Sequence, residues 1–238
     1  MKMILAASPF IDAYVTSDLL GKLIFVSLIF LSILTWILVL YKGWITYQAK
    51  ISSKNFKKKV IEEESDILNI EVSENKSPFN TLYLVLKTKT IEILEKNKHF
   101  GSKGGDIPAL SRSDINIVES HLISTIACET KYLEKYLYLL ATVVSLGPFL
   151  GLLGTVWGIL TTFSHLQAEQ GGNTNQMVIG GLSLALATTV LGLIDAIPAL
   201  IGYNYLKNSI RDFSIDMECF SSDLLTQVEM QYRKVDID

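Results

Sequence analysis

Apolar positions follow two patterns along this chain: long unbroken runs, and stripes that recur at helical spacing. Leu23 to Tyr41 is a charge-free run rich in Leu, Ile and Val. A helix needs about 20 consecutive apolar residues to cross the hydrocarbon core of a bilayer, and this run supplies them. Lys22 can snorkel from its edge. Trp36, Tyr41 and Trp44 approach the far side, where aromatic rings favour the interface. A second run, Tyr136 to Ala168, contains no Lys, Arg, Asp or Glu. The third extends from near Met177 to near Tyr205 and is interrupted by a single charged group, Asp195. The pattern predicts an all-α membrane protein with transmembrane helices at 19–41, 136–166 and 177–206. The remaining segments are an N-terminal segment (1–18), a turn (167–176) and a C-terminal helix (207–238).

Residues 42–135 are too many for a bare connection and require structure of their own. Leu82, Val85, Leu86, Thr90, Ile93 and Leu94 recur at helical spacing, and a Gly/Pro-rich break follows from His99 to Pro108. Ser111 and Asp114 are spaced as a capping box. From there Ile115, Val118, Leu122, Ile126, Leu133, Leu137 and Leu140 mark a helical stripe. No Pro or Gly occurs from Ile115 to Leu146, so one continuous helix is expected to enter the second span. Lys57, Lys58 and Lys59, followed by Glu62, Glu63 and Glu64, read as a solvated helix face.

Charge placement orients the spans. Lys42, Lys50, Lys54, Lys57, Lys58 and Lys59 follow the first, and Lys207 and Arg211 follow the third. The connection between the second and third carries no Lys or Arg. The positive-inside rule then puts 42–135 and the C-terminal tail in the cytoplasm, with the N-terminus and the Gly171-Gly172 turn outside. The apolar start from Met3 to Ala7 is shorter than a signal peptide's apolar region, so the N-terminus is read as retained. Twenty-one Lys and Arg against twenty-four Asp and Glu give a net charge of −3, which offers no footprint for nucleic acid. Cys128 and Cys219 stand far apart without a CxxC or His-rich context and read as reduced thiols.

No phosphate loop, metal-ligand spacing or nucleophile elbow is present, so neither an enzyme nor a cofactor-binding or metal-binding protein is expected. His99, His121 and His165 are isolated, and His165 reads as an interfacial polar residue. The chemistry lies in the spans. Gly147 with Gly151, and Gly154 with Gly158, are small residues four apart, a spacing that lets helices approach closely in lipid. Pro148 removes one backbone hydrogen bond and can kink its helix, as can Pro198. Thr155 falls near mid-span. In the third span Gly181, Ala185, Thr188, Gly192, Asp195 and Ala199 form one narrow face, with Thr189 beside it. A charged Asp at a helix centre costs roughly 2.5–3.5 kcal/mol on insertion scales, so Asp195 must face a partner, a cavity or an ion path, or lie shallow enough to reach water. Small-residue faces on a three-span chain point to an oligomer.

The block Tyr138-Leu-Leu-Ala-Thr-Val-Val-Ser-Leu-Gly-Pro-Phe-Leu-Gly-Leu-Leu-Gly-Thr-Val-Trp-Gly-Ile resembles the signature of the TolQ/ExbB/MotA proton-channel family, TolQ and ExbB above all. Residues 187–204, Ala-Thr-Thr-Val-Leu-Gly-Leu-Ile-Asp-Ala-Ile-Pro-Ala-Leu-Ile-Gly-Tyr-Asn, resemble its third span, and Leu20-Gly-Lys-Leu-Ile with Ser32-Ile-Leu-Thr-Trp its first. The likeness implies long helices and a pentamer around a central pore. It also implies a TolR/ExbD-type partner whose single span bears an essential Asp, and a TonB- or TolA-like protein that receives the work. Thr155 and Thr189 stand at the family's polar pore positions. Where the family usually has Glu, five residues before the third-span Thr, this chain has Leu184; where Ala is usual, it has Asp195. These two positions are eleven residues apart, roughly 16 Å along one helix face. The resulting expectation is that Asp195 supplies the carboxylate absent at 184.

Two other classes differ in what they require of the spans. A non-conducting scaffold would tolerate loss of the polar groups within the spans. A secondary transporter needs broken helices or an inverted repeat, which three spans here do not offer. A MotA-type stator subunit needs a fourth span. TolQ-like and ExbB-like roles remain open at this level.

Overall fold

The computed structural model describes residues 9–62, 67–70, 77–100, 109–168 and 174–233. Among these, six helices account for nearly all the structure: α1 (Pro9–Thr16), α2 (Leu19–Glu62), α3 (Pro78–Phe100), α4 (Arg112–Glu134), α5 (Leu137–Ala168) and α6 (Thr174–Tyr232). Three of them, α2, α5 and α6, contain stretches long and apolar enough to cross a membrane. The expectation of an all-α membrane protein with three such helices holds. Readings that fell on Met3–Ala7, Glu63 and Glu64, residues 101–108 and the Gly171-Gly172 turn lie outside the described residues.

The chain divides into two units. One comprises Met1–Lys42 and Tyr136–Leu206, the other Gly43–Lys135 and Lys207–Asp238. The first holds α1, α5 and the apolar parts of α2 and α6. On its lipid-like outer faces, large apolar side chains such as Leu23, Phe30, Ile37, Phe149, Phe163 and Ile197 are exposed. For water-soluble proteins such a surface would be a liability; in hydrocarbon it is the requirement.

The second unit is a conventional apolar core. Phe79 stacks on Phe220 (ring centroids 4.4 Å apart) and on Phe213 (5.8 Å), while Phe56 meets Phe220 edge-on. Tyr83 is fully buried, and its hydroxyl donates to the carbonyl of Ile67 at 2.8 Å. Ile115, Val118, Leu122, Ile126 and Leu133 form the buried stripe of α4. Burying side chains of this size stabilises by about 1.5–3 kcal/mol each. Ser111 caps α4 as a full capping box: its hydroxyl accepts from the Asp114 N–H at 3.2 Å, and its own N–H donates to the Asp114 carboxylate at 2.9 Å.

The expected continuous helix from Ile115 into the second span does not form. α4 ends at Glu134 and α5 begins at Leu137, with Tyr136 in the left-handed region at φ 70°. Leu133, Leu137 and Leu140 are all buried, so the apolar stripe stays in phase through the break and conceals it. The interruption falls where one unit ends and the other begins. The break falls at a residue that is neither Gly nor Pro.

Candidate ion-path residues

Two seams order the membrane-type unit. The first joins α5 to α6 in antiparallel fashion through small residues. A Cβ placed on Gly147 would stand 2.9 Å from the Gly192 carbonyl, and one on Gly151 would stand 3.0 Å from Thr189 Cα. One on Gly158 would meet the Gly181 carbonyl at 2.7 Å, and one on Gly154 would collide with the Thr188 side chain. At all four glycines a side chain would crowd the facing helix, so their lack of one permits the close approach. Pro148 and Pro198 both sit inside continuous helices.

The threonines at this seam are not equivalent. Thr188 is fully buried and returns its hydroxyl to the Leu184 and Ala185 carbonyls of its own helix, each at 3.0 Å. Thr189 is half-buried; its hydroxyl reaches across the seam to the Gly151 carbonyl at 3.2 Å and to Ala185 at 3.3 Å. That carbonyl is also the acceptor the helix offers to the N–H of Thr155, four residues on. Thr155 is half-exposed and donates to the Leu152 carbonyl at 2.7 Å. Of the two threonines, Thr189 thus bridges the seam to α5, while the Thr155 hydroxyl is satisfied within its own helix.

The second seam joins α2 to α6 in parallel. A Cβ on Gly21 would stand 2.9 Å from Leu184 Cδ2, and one on Gly202 would stand 2.6 Å from Val39 Cγ2. Between these contacts, the Ser32 hydroxyl hydrogen-bonds to the Asp195 side chain. Asp195 is only 5% exposed. The stripe read from sequence as one face therefore serves two neighbours. Gly181, Ala185, Thr188 and Gly192 lie toward α5, while Asp195 turns to α2. Leu184, eleven residues before Asp195, is buried in an apolar cluster with Ala13, Phe25 and Ala187.

Sequence reasoning missed Asp18 and Trp157. One Asp18 carboxylate oxygen accepts from the Gly21 N–H at 2.9 Å, capping α2. The other accepts from the Trp157 indole N–H at 2.8 Å. An Asp directly before an apolar helical run is an N-cap signal that could have been read. The indole partner, 139 residues away, could not. Nothing is described of the His165 side chain. Among the described residues no group of three or more His, Cys, Asp or Glu is placed to hold a metal ion.

Comparison with known proteins agrees with this architecture. Residues 94–219 match the model of the MotA/TolQ/ExbB proton channel family. The chain is similar to the biopolymer transport protein ExbB of Aquifex aeolicus, 46% identical over 93 residues, covering 39% of this chain and 62% of that protein. It is also similar to the Tol-Pal system protein TolQ of Haemophilus influenzae, 27% identical over 229 residues, covering 93% and 94%. The third, the ExbB of Pseudomonas putida, is 28% identical over 216 residues, covering 90% of this chain and 62% of that protein. The chain thus spans about three fifths of the two ExbB proteins and nearly all of the TolQ protein. With a match that takes in more than half of its residues and both helices of the glycine seam, this chain belongs to the MotA/TolQ/ExbB proton channel family.

Proposed function

We propose that the protein is the proton-conducting subunit of an inner-membrane motor complex, turning proton-motive force into mechanical work on the cell envelope. The observation that carries this reading is the Thr189 hydroxyl reaching across a seam built from glycines to the Gly151 carbonyl, one helical turn before Thr155. A hydroxyl both donates and accepts, so it can pass a hydrogen bond along a chain of water or to a partner carboxylate without itself becoming charged. The resemblance adds the assembly: a homo-pentamer around a pore, a TolR/ExbD-type single-span partner whose Asp enters it, and a TonB- or TolA-like protein beyond. The lysines at 42–59 and the basic pair Lys207 and Arg211 favour a cytoplasmic location for 42–135 and the tail, with the N-terminus outside.

Within the family, similarity over nearly the whole length of a TolQ protein and higher identity over part of an ExbB protein favour different roles. The TolQ role would serve envelope integrity; the ExbB role would serve energised uptake. A chain of this kind that acts as a scaffold alone would need none of its span hydroxyls. The test is co-expression with a short single-span protein bearing an Asp in its span, followed by purification. The reading expects a stoichiometric complex that assembles with Thr155→Val but is impaired in proton-dependent work. Full work by that variant would favour the scaffold.

A further inference from the structure

Asp195 is a buried carboxyl group on the parallel α2–α6 seam, away from the glycine seam where Thr189 reaches Gly151. Its hydrogen-bonding side chain is Ser32. No ion pair of Asp195 occurs among the described residues. On α2 the flanking charges, Lys22 and Lys42, each stand ten residues from Ser32, about 15 Å of helix rise. α5 carries no Lys, Arg, Asp or Glu, only Tyr138 and His165 near its two ends; α1 carries Asp12 and Tyr14. On α6 itself the nearest titratable groups are Tyr203, eight residues on, Tyr205, ten on, and Lys207, twelve on.

We infer that Ser32 and Asp195 form a proton-binding site inside a single protomer, separate from the path lined by Thr155 and Thr189. The chemistry is reversible on both partners. The Ser32 hydroxyl donates to the carboxylate when Asp195 is ionised and accepts from the carboxyl O–H when a proton is bound. A hard metal cation is a poor fit, because such ions take about six or more oxygen ligands and this site offers a carboxyl and one hydroxyl. The neighbouring positions Gly192, Ala196 and Ala199 add no side-chain oxygen. Binding and release of the proton switch the seam between neutral and charged, a large change where water is scarce. This deepens the channel reading, on which its consequence for transport rests, but the binding itself is testable alone.

The test uses the intact protein in lipid nanodiscs. Dicyclohexylcarbodiimide adds to protonated carboxyl groups in apolar surroundings, and mass spectrometry locates the adduct. The inference expects labelling at Asp195 in acid that falls as the pH rises. The profile should move with Ser32→Ala and stay put with the control Ser27→Ala, whose hydroxyl bonds the Ile24 carbonyl. Replacing choline with sodium should leave labelling unchanged. No adduct at Asp195 at any pH, an unmoved profile in Ser32→Ala, or protection by sodium would each overturn it. Because labelling is read without transport, its failure is distinct from a failure of the channel reading, which proton flux decides.

Discussion

The indole N–H of Trp157 donates to the Asp18 carboxylate across 139 residues of sequence, at 2.8 Å. The same carboxylate caps α2, so one side chain fixes the start of the first span and ties it to the family block in α5. Trp157→Phe removes only the indole bond; being exposed, it should cost about 0.5–1 kcal/mol. Asp18→Ala also removes the cap and should cost roughly 1 kcal/mol more. Thermal midpoints of the two variants and their combination should be non-additive, because the double variant cannot lose the shared bond twice. Additive losses would mean the contact is not made in solution.

The glycine seam predicts opposite signs for two identical substitutions. Gly154→Ala drives a Cβ into the buried Thr188 side chain and should destabilise by about 1–3 kcal/mol. Gly43→Ala has nothing within 4 Å and should stabilise α2 by about 0.5–1 kcal/mol, through lower chain entropy in the unfolded state. Paired melting curves in detergent decide between these outcomes.

Asp114 gives the second unit an acid-sensitive joint. Burial pushes its carboxyl up. The backbone N–H of Ser111, the Asn97 side chain and the Ser111 hydroxyl together outweigh that effect and hold it below the ordinary aspartate range. A depressed carboxylate contributes stability that is complete above the unfolded value of about 3.9 and is lost as the pH falls through the lower folded value. Asp114→Asn should therefore flatten the acid limb of the stability profile. Ser111→Ala should cost about 1 kcal/mol at neutral pH through the cap.

Tyr136 holds the break between α4 and α5 at φ 70°. Tyr136→Asn and Tyr136→Val both lose the ring, but Asn accepts the left-handed region and a β-branched residue resists it. The Val variant should be less stable than the Asn variant by about 1–2 kcal/mol, read from thermal unfolding. Equal midpoints would mean the break relaxes into helix.

The sequence displayed those features whose physics is local. Three spans follow from uninterrupted apolar runs, and the Ser111–Asp114 box from residue identity at a fixed spacing. The four glycines of α5 announced close packing, though not their partners. What stayed hidden depends on register between distant helices. Eleven residues separate Gly21 from Ser32 and Leu184 from Asp195; seven separate Ser32 from Val39 and Asp195 from Gly202. That shared spacing defines the α2–α6 seam, and it becomes visible only once the two helices lie side by side. It also accounts for the burial of Leu184 and Asp195 against the same helix: eleven residues return to nearly the same angle. The break at Tyr136 was invisible for a different reason, since the apolar stripe continues in phase across it.

The central claim is that hydroxyls on the α5–α6 seam carry protons. Its most direct measurement is proton flux into proteoliposomes containing the subunit with its single-span partner, under an imposed potential. Thr155→Val, with assembly verified by size, should lower flux on the order of tenfold, the equivalent of one lost hydrogen bond of about 1.4 kcal/mol in the rate-limiting step. Undiminished flux through a correctly assembled Thr155→Val complex would contradict the account.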